Sequence, residues 1–365
     1  MATAAVPDAA WWRGRDVLVT GHTGFVGGWL CAWLAALGAR VHGYSLPPPT
    51  TPSFFERTGL RSRLARHTLG DVADLAALSG AIRDCAPQVL FHLAAQPIVR
   101  DGFRDPVGTF ATNTMGTVHV LEACRAAASL AKIVVYTTDK VYRNDQSGRA
   151  YAEAERLGGN EPYSASKAAA ECAVAAYWES YFRRASPRPA LCTVRAGNIL
   201  GGGDWARERL VPDAVRAFER GAALVIRNPA ATRPWQHVLD AVRATLLLAE
   251  RIEARDEPAE ALAWNFGPDP DRVHPVSAVA DACARGWGDG ARWIHEPDAS
   301  IPESRALVLS SERAARELGW RCAWDLGRSI AASLEWYREA LLPGADMMAL
   351  TQRQIEQHVR EAGAR

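Results

Sequence analysis

Lysine is nearly missing from this chain: only Lys132, Lys140 and Lys167 occur among its 42 basic residues. Arginine stays charged in a protein, whereas the pKa of lysine shifts readily with environment. Two of the three lysines fall inside short chemical motifs, so those two positions call for an ammonium; codon bias is the plain alternative. Also missing is any apolar run near the ~18 residues that a bilayer-spanning helix needs, which excludes such a helix and a membrane partner. Seven cysteines occur, an odd number with no Cys-x-x-Cys pair. That argues for reduced thiols in a cytoplasmic protein and against a disulfide framework or a zinc site. The nine histidines contain no His-x-x-x-His pair, so no metal is expected. No charge of one sign dominates. A net charge of +1 gives no electrostatic case for nucleic acid or an anionic membrane. Arg61, Arg63, Arg66 and His67 cluster but have no aromatics between them, and read as solvated surface. Met1 to Arg15 lacks a basic segment leading into an apolar stretch, so it does not read as a signal peptide.

What remains is an ordinary globular composition, 48% hydrophobic and 23% charged over 365 residues, long enough for two lobes. The first half alternates short apolar runs with helical patterns. Val17 to Thr20, Arg40 to Tyr44, Val89 to Leu93, Ile133 to Thr137 and Leu191 to Arg195 read as strands. Phe25 to Leu37, Val107 to Ala127 and Glu161 to Arg183 read as helices. This alternation predicts βαβ units, hence an α/β fold with a Rossmann-type, doubly wound parallel sheet. After residue 197 the texture becomes irregular, rich in Gly, Pro and Trp. The expected organisation is a dinucleotide-binding domain over 12–197 plus about 235–252. A smaller mixed α/β substrate-binding lobe takes 198–234 and 253–343, and a helical tail takes 344–365. The tail is either a packing helix or an oligomer contact.

Gly21-His-Thr-Gly24-Phe-Val-Gly27 directly follows the first strand and opens a helix. In that setting the first glycine makes the turn, the second admits a pyrophosphate and the third lets helix and strand pack. The helix N-terminus then faces the anion. Gly21, Thr23, Gly24, Phe25, Val26 and Gly27 are therefore cofactor-binding candidates. About twenty residues further on, an acid normally takes the adenosine ribose of NAD. Here no acidic residue lies between Gly27 and Glu56. NAD is the expected cofactor, and the missing acid leaves NADP open. Asp71, next to Val72, either meets the adenine or caps a helix.

Tyr163 and Lys167 stand at i, i+4, on one face of a helix. An ammonium beside a phenol lowers its pKa. The pair can then take a proton from an alcohol while the same carbon is oxidised. The alternative is an exposed helical pair. Thr138-Asp139-Lys140 follows the strand Ile133 to Tyr136, beyond the carboxyl ends of the strands, where ligands bind in open parallel sheets. It offers a hydroxyl donor, a general acid and an ammonium, or else a surface turn with a local ion pair.

The glycine pattern with Tyr-x-x-x-Lys resembles the extended short-chain dehydrogenase/reductase superfamily. Longer stretches resemble its CDP-hexose 4,6-dehydratase branch. These are Phe91 to Pro97, Thr138 to Lys140, Arg195 to Trp205, Arg227 to Val238 and Trp264 to Gly267. The Asp-Lys pair at 139–140 discriminates, since sister branches carry a glutamate after the acid or hydroxyl residue. The resemblance implies a lyase acting on a nucleotide sugar in deoxysugar biosynthesis, with an internally recycled nicotinamide cofactor. It implies Tyr163 as the base for oxidation at sugar C4 and Lys167 as its partner on the cofactor ribose. Thr138 would steady the C4 oxygen, Asp139 would protonate the departing C6 hydroxyl, and Lys140 would act at C5 as base or stabiliser. Ala94, Ala95 and Gln96 would line the nicotinamide end, with Val72 and Asn113 also on the cofactor. Gln96, Asn198, Arg209, Arg227, Arg233 and His237 would meet the sugar nucleotide. A homodimer is implied as well. Three departures stand out. Pro47 replaces an aspartate after the second strand, Val141-Tyr142-Arg143-Asn144 replaces Cys-Tyr-Asp-Asn, and Tyr151-Ala152-Glu153 replaces Tyr-Arg-Glu.

Overall fold

Seven parallel strands form the centre of the molecule. A computed structural model of the chain describes residues 5–298 and 304–364. The strands are β1 (Asp16–Thr20), β2 (Arg40–Ser45), β3 (Arg66–Leu69), β4 (Val89–His92), β5 (Lys132–Tyr136), β6 (Ala190–Ala196) and β7 (Ala263–Phe266). Their order across the sheet is β7-β6-β5-β4-β1-β2-β3, and every neighbouring pair is parallel. The order reverses at β1, so the crevice beyond the strand ends there is the place for a ligand. The strands read as continuous apolar runs because helices cover both faces. Val17, Val19, Val89, Phe91, Val134 and Val194 are all buried.

The structure corrects the expected lobe boundary at one point. Residues 263–266, assigned from sequence to the second lobe, form the edge strand β7 and pair with Thr193–Ala196. A run of four residues sits below the length at which a buried strand can be told apart by pattern. The expected helix Val107 to Ala127 is also interrupted. Pro106–Phe110 is α-helical, Ala111–Met115 is a π-turn, and Gly116–Arg125 resumes the α-helix. The π-turn carries Asn113 into the interior. Single π-turns of this kind are frequent at functional sites.

Around the sheet, four short two-stranded ladders organise the later part of the chain. One pairs Asn198–Leu200 with Trp235–His237, and another pairs Thr232–Arg233 with His274–Pro275. The Gly-rich turn after Leu200 exists for packing. A Cβ on Gly202 would stand 2.2 Å from the Trp336 Cβ, and the Gly202 carbonyl accepts from Trp29 Nε1 at 2.9 Å.

The tail is a packing helix, Met347–Gly363, that lies on the helix Phe25–Ala36 and on Leu326–Leu341. It buries Met347, Met348, Leu350 and Ile355. His358 reaches further in. Its Nε2 lies 3.0 Å from Asp240 Oδ1, and its ring stands 5.8 Å from that of Trp33 and 5.0 Å from that of Trp324. Asp240 also accepts from the backbone N–H groups of Ala323 and Trp324, at 2.6 and 3.3 Å. Arg243 completes the group at 3.6 Å. Burial alone would raise the Asp240 carboxyl, but His358 and Arg243 outweigh it and hold it down at about 2. Truncating one member of a buried charged group strands the others, at a cost of about 3–5 kcal/mol. Asp240→Ala is therefore expected to lose about that much stability, read as a lower midpoint in urea denaturation at pH 7.

Candidate active site

At the glycine turn, two positions are closed by the protein itself. A Cβ on Gly21 would lie 2.7 Å from the Ala94 nitrogen, and one on Gly27 would lie 2.2 Å from the Gly21 oxygen. Gly24 differs: a Cβ there would meet only the Gly21 oxygen, at 3.3 Å. Its bareness leaves room on the outer side of the turn. The helix Phe25–Ala36 starts at Gly24 with no side-chain cap, so its first N–H groups stay available to an anion. These features fit a dinucleotide pyrophosphate. Thr23 is buried, and its hydroxyl bonds Ser45 Oγ at 2.8 Å and the Leu46 carbonyl at 2.9 Å. Hydroxyls therefore stand at the end of β2, where an acid is usual. Asp71 is exposed, and its Oδ1 accepts from the Ala73 N–H at 2.9 Å. The helix cap that follows is Asp74, not Asp71. Val72 is buried against Gly116.

Ala94 and Ala95 follow β4 into the crevice, half-buried. Gln96 is held firmly: its N–H donates to Asn113 Oδ1 at 2.8 Å, and its side-chain amide donates to Thr109 Oγ1 at 2.9 Å. Asn113 Nδ2 in turn donates to the Gln96 carbonyl and, at 2.9 Å, to Ser166 Oγ. The π-turn thus locks the loop after β4 to the helix Pro162–Ser180, which carries Tyr163 and Lys167. That helix begins at a capping box, with the Glu161 side chain accepting from the Tyr163 and Ser164 N–H groups. The first turn, and Tyr163 with it, is fixed by those bonds.

Five expected catalytic side chains come together. Thr138 lies near enough to the Tyr163 hydroxyl to favour its phenolate. Thr138 Oγ1 donates to Asp139 Oδ1 at 3.0 Å, and Lys140 Nζ lies 3.6 Å from the same oxygen. Asp139 is buried and its Oδ2 has no hydrogen-bond partner, leaving one carboxylate oxygen for a ligand. Lys140 is 29% exposed at its side chain, so it reaches the crevice rim. Lys167 Nζ is buried and donates to the Tyr136 carbonyl at 2.9 Å.

The expected depression of the Tyr163 pKa is not what the geometry gives. Burial raises it; the Thr138 hydrogen bond and the Arg209 charge pull back, while Asp139 and Glu161 push it up further. Loss of water outweighs the favourable neighbours here. Lys167 directs its ammonium to the Tyr136 carbonyl. Burial drops the Lys167 pKa to about 8, against the raising effect of Glu171.

The substrate-binding expectations divide. Arg209 sits at the site: its charge acts on Tyr163, and its Nη2 lies 3.4 Å from the Pro97 carbonyl. Asn198 presents a buried Oδ1 with no protein partner. Arg227 pairs with Glu208 at 2.7 Å, and Arg100, absent from the sequence expectations, approaches the same carboxylate at 3.5 Å. Arg233 is nearly buried on its short strand and donates to the Thr232 carbonyl at 2.8 Å. His237 is corrected: it is fully buried, and its Nδ1 accepts from the Leu239 N–H as the cap of the helix Val238–Arg251. Its ring packs 4.6 Å from that of Trp324. Glu171 and Arg195 were missed, although Glu171 continues the Tyr163, Lys167 spacing by one more turn.

Comparison with known proteins agrees with this geometry. Residues 17–267 match the model of the NAD dependent epimerase/dehydratase family. A CDP-glucose 4,6-dehydratase of Salmonella typhimurium is 39% identical over 355 residues, covering 96% of this chain and 98% of that protein. Among solved structures, an epimerase from Methanothermobacter thermautotrophicus has the same fold, with a TM-score of 0.79 at 20% identity over 96% of both chains. A dTDP-glucose 4,6-dehydratase from Bacillus anthracis, solved in complex with NAD, gives 0.73 at 20% identity over 89% of this chain and 97% of that one.

Gly27→Ala would force its Cβ into the Gly21 carbonyl. The expected outcome is loss of NAD binding by titration calorimetry, while Gly344→Ala, on an open surface turn, binds as the unaltered protein does.

Proposed function

The chain belongs to the NAD dependent epimerase/dehydratase family, and from that premise we propose that it is a CDP-glucose 4,6-dehydratase, converting CDP-D-glucose to CDP-4-dehydro-6-deoxy-D-glucose with loss of water. The observation that carries this reading is the convergence of Thr138, Asp139 and Lys140 with Tyr163 and Lys167 at the strand ends. The near full-length similarity to a protein of that activity supports it.

The cofactor is NAD; the glycine turn would hold its pyrophosphate, Ala94, Ala95 and Gln96 would line its nicotinamide end, and Lys167 would bind the adjoining ribose. When bound, it supplies the oxidation at sugar C4 and the later reduction at C6. Tyr163 removes the proton from the C4 hydroxyl, and Thr138 steadies that oxygen as it becomes a carbonyl. With a 4-keto group in place, the C5 proton is acidic. Lys140, close to the rim, takes that proton as a neutral amine, and the ammonium so formed stabilises the enolate. Asp139 delivers a proton to the C6 hydroxyl, which leaves as water; its unpartnered Oδ2 is the atom suited to reach that oxygen. An epimerase has no need of this acid. Arg209 and Arg227 would take the diphosphate, since arginine recognises phosphate oxygens in pairs.

The dimer belongs to the same reading. Val107 is 79% exposed, and Phe103, Phe110 and Met115 are exposed beside it on neighbouring helical segments. Exposed apolar side chains close together along one run of the chain favour a second copy of it. With Val107→Asp and Phe110→Asp together, light scattering is expected to change from dimer to monomer.

The function is tested by incubating the protein with CDP-, dTDP-, UDP- and GDP-glucose and following 4-keto-6-deoxy product. Turnover of CDP-glucose is expected; turnover of another hexose alone would sink the substrate assignment. Tyr163→Phe is expected to lower kcat by at least about a hundredfold with no reduced cofactor formed. Asp139→Asn is expected to slow water loss while C4 oxidation still shows as absorbance at the reduced-cofactor band.

A further inference from the structure

The catalytic helix Pro162–Ser180 carries a third buried group on the face that presents Tyr163 and Lys167. Glu171 stands at i+8 from Tyr163, about 12 Å along the axis. Opposite this face lie three consecutive residues at the end of β5. Tyr163 lies near Thr138, Lys167 Nζ meets the Tyr136 carbonyl, and Glu171 Oε1 accepts from Thr137 Oγ1 at 2.6 Å. From β6, Thr193 Oγ1 donates to Glu171 Oε2 at 2.8 Å. Arg195 grips both carboxylate oxygens, Nε to Oε1 at 2.9 Å and Nη2 to Oε2 at 3.0 Å. Each side chain of this pair is 5% exposed. Arg195 Nη1 continues outward to the Tyr142 hydroxyl at 3.0 Å and the Glu153 carbonyl at 2.8 Å.

Resting on the reading of Tyr163 and Lys167 as the oxidation pair, we propose that Glu171 is a positioning residue of the reaction. Its carboxylate, clamped by Arg195, is the counter-charge that keeps Lys167 protonated, and it pins the catalytic helix to the strand end that carries Thr138 and Asp139. An ammonium removed from water with a single carbonyl for company would shed its proton. Burial drives Lys167 down to about 8, and Glu171 opposes that fall. Burial also pushes Glu171 upward, but the charge and hydrogen bonds of Arg195, with those of Thr137 and Thr193, carry it below the usual carboxylate range. The carboxylate therefore stays ionised wherever the enzyme works. The other titratable groups around Lys167 are Tyr163 on the same helix and His92 on β4. Burial and the Lys167 charge hold His92 at about 3, so it is neutral and supplies no counter-charge. Asp139 belongs to the triplet and pairs with Lys140.

The sign follows. With the carboxylate gone, burial acts unopposed and Lys167 loses its proton at lower pH. With only three lysines in the chain, 13Cε-labelled lysine gives three signals in the NAD-loaded protein, assigned through Lys132→Arg and Lys140→Arg. The Lys167 signal is expected to titrate near 8. In Glu171→Gln it is expected to move down by about one pH unit, and the alkaline limb of kcat for CDP-glucose to move with it. Glu171→Asp keeps the charge but shortens the reach to Thr137, so it keeps the midpoint and lowers kcat. Should Glu171→Gln not fold, the double variant Glu171→Met with Arg195→Met replaces the whole pair by apolar side chains, which folds tolerate. It removes a cation along with the anion, so the midpoint is expected to fall, by less than in Glu171→Gln. An unmoved Lys167 midpoint in whichever of these two charge-removing variants folds overturns the proposal, as does Glu171→Asp shifting it as far as the charge-removing variant does. Absence of CDP-glucose turnover by the unaltered enzyme would instead strike the substrate reading and leave the lysine titration to decide this one.

Discussion

The ammonium of Lys167 lies almost out of reach of water, 2.9 Å from the Tyr136 carbonyl, and much of the surrounding architecture answers the cost of holding a charge there. A parallel sheet buried on both faces leaves its strand ends as the only polar edge inside the fold. Helix Pro162–Ser180 crosses that edge, and polar groups from β5 and β6 rise to meet it. Each interior charge in this region has a partner of opposite sign or a set of hydrogen bonds, as the low dielectric of the interior demands. The candidate catalytic groups Thr138, Asp139, Tyr163 and Lys167 are thus themselves buried, and only Lys140 reaches the rim.

Asp240 repeats the same logic on the opposite side of the sheet, with His358, Arg243 and two backbone N–H groups around one carboxylate. There the group joins elements far apart in sequence: Val238–Arg251, the loop at Ala323 and Trp324, and the last helix. Tryptophan fills the space between them. Trp29, Trp33, Trp320 and Trp336 are all buried, and their ring N–H groups explain part of the glycine pattern, as with Trp29 on the Gly202 carbonyl.

The features legible in the sequence were those set by local rules. The glycine turn, the strand alternation and the Tyr163–Lys167 spacing each depend on a few neighbouring residues, and the structure has them where those rules put them. The misreadings came where long-range packing decides. His237 lies in a stretch that looks uniformly suited to ligands, yet its strand turns it inward to cap a helix. Residues 263–266 form a strand because β6 offers them an edge, which so short a run with a polar Asn265 in it does not announce. Tyr163 is surrounded by the expected groups, but the depth of its burial, invisible in a motif, reverses the direction of its pKa. Glu171 was overlooked because a glutamate in a helix ordinarily faces solvent; only its place at the third repeat of the catalytic spacing hinted otherwise.

The helix Met347–Gly363 backs the helix that opens the glycine turn, through His358 beside Trp33. All of the catalytic candidates lie before residue 170, yet the helix behind the glycine turn leans on parts of the chain far beyond them. Trp29 is covered by Phe54 and by the Gly202 carbonyl, whereas Trp33 meets His358. A folding chain can therefore display the whole catalytic inventory and still lack part of the packing that holds the dinucleotide pocket in place.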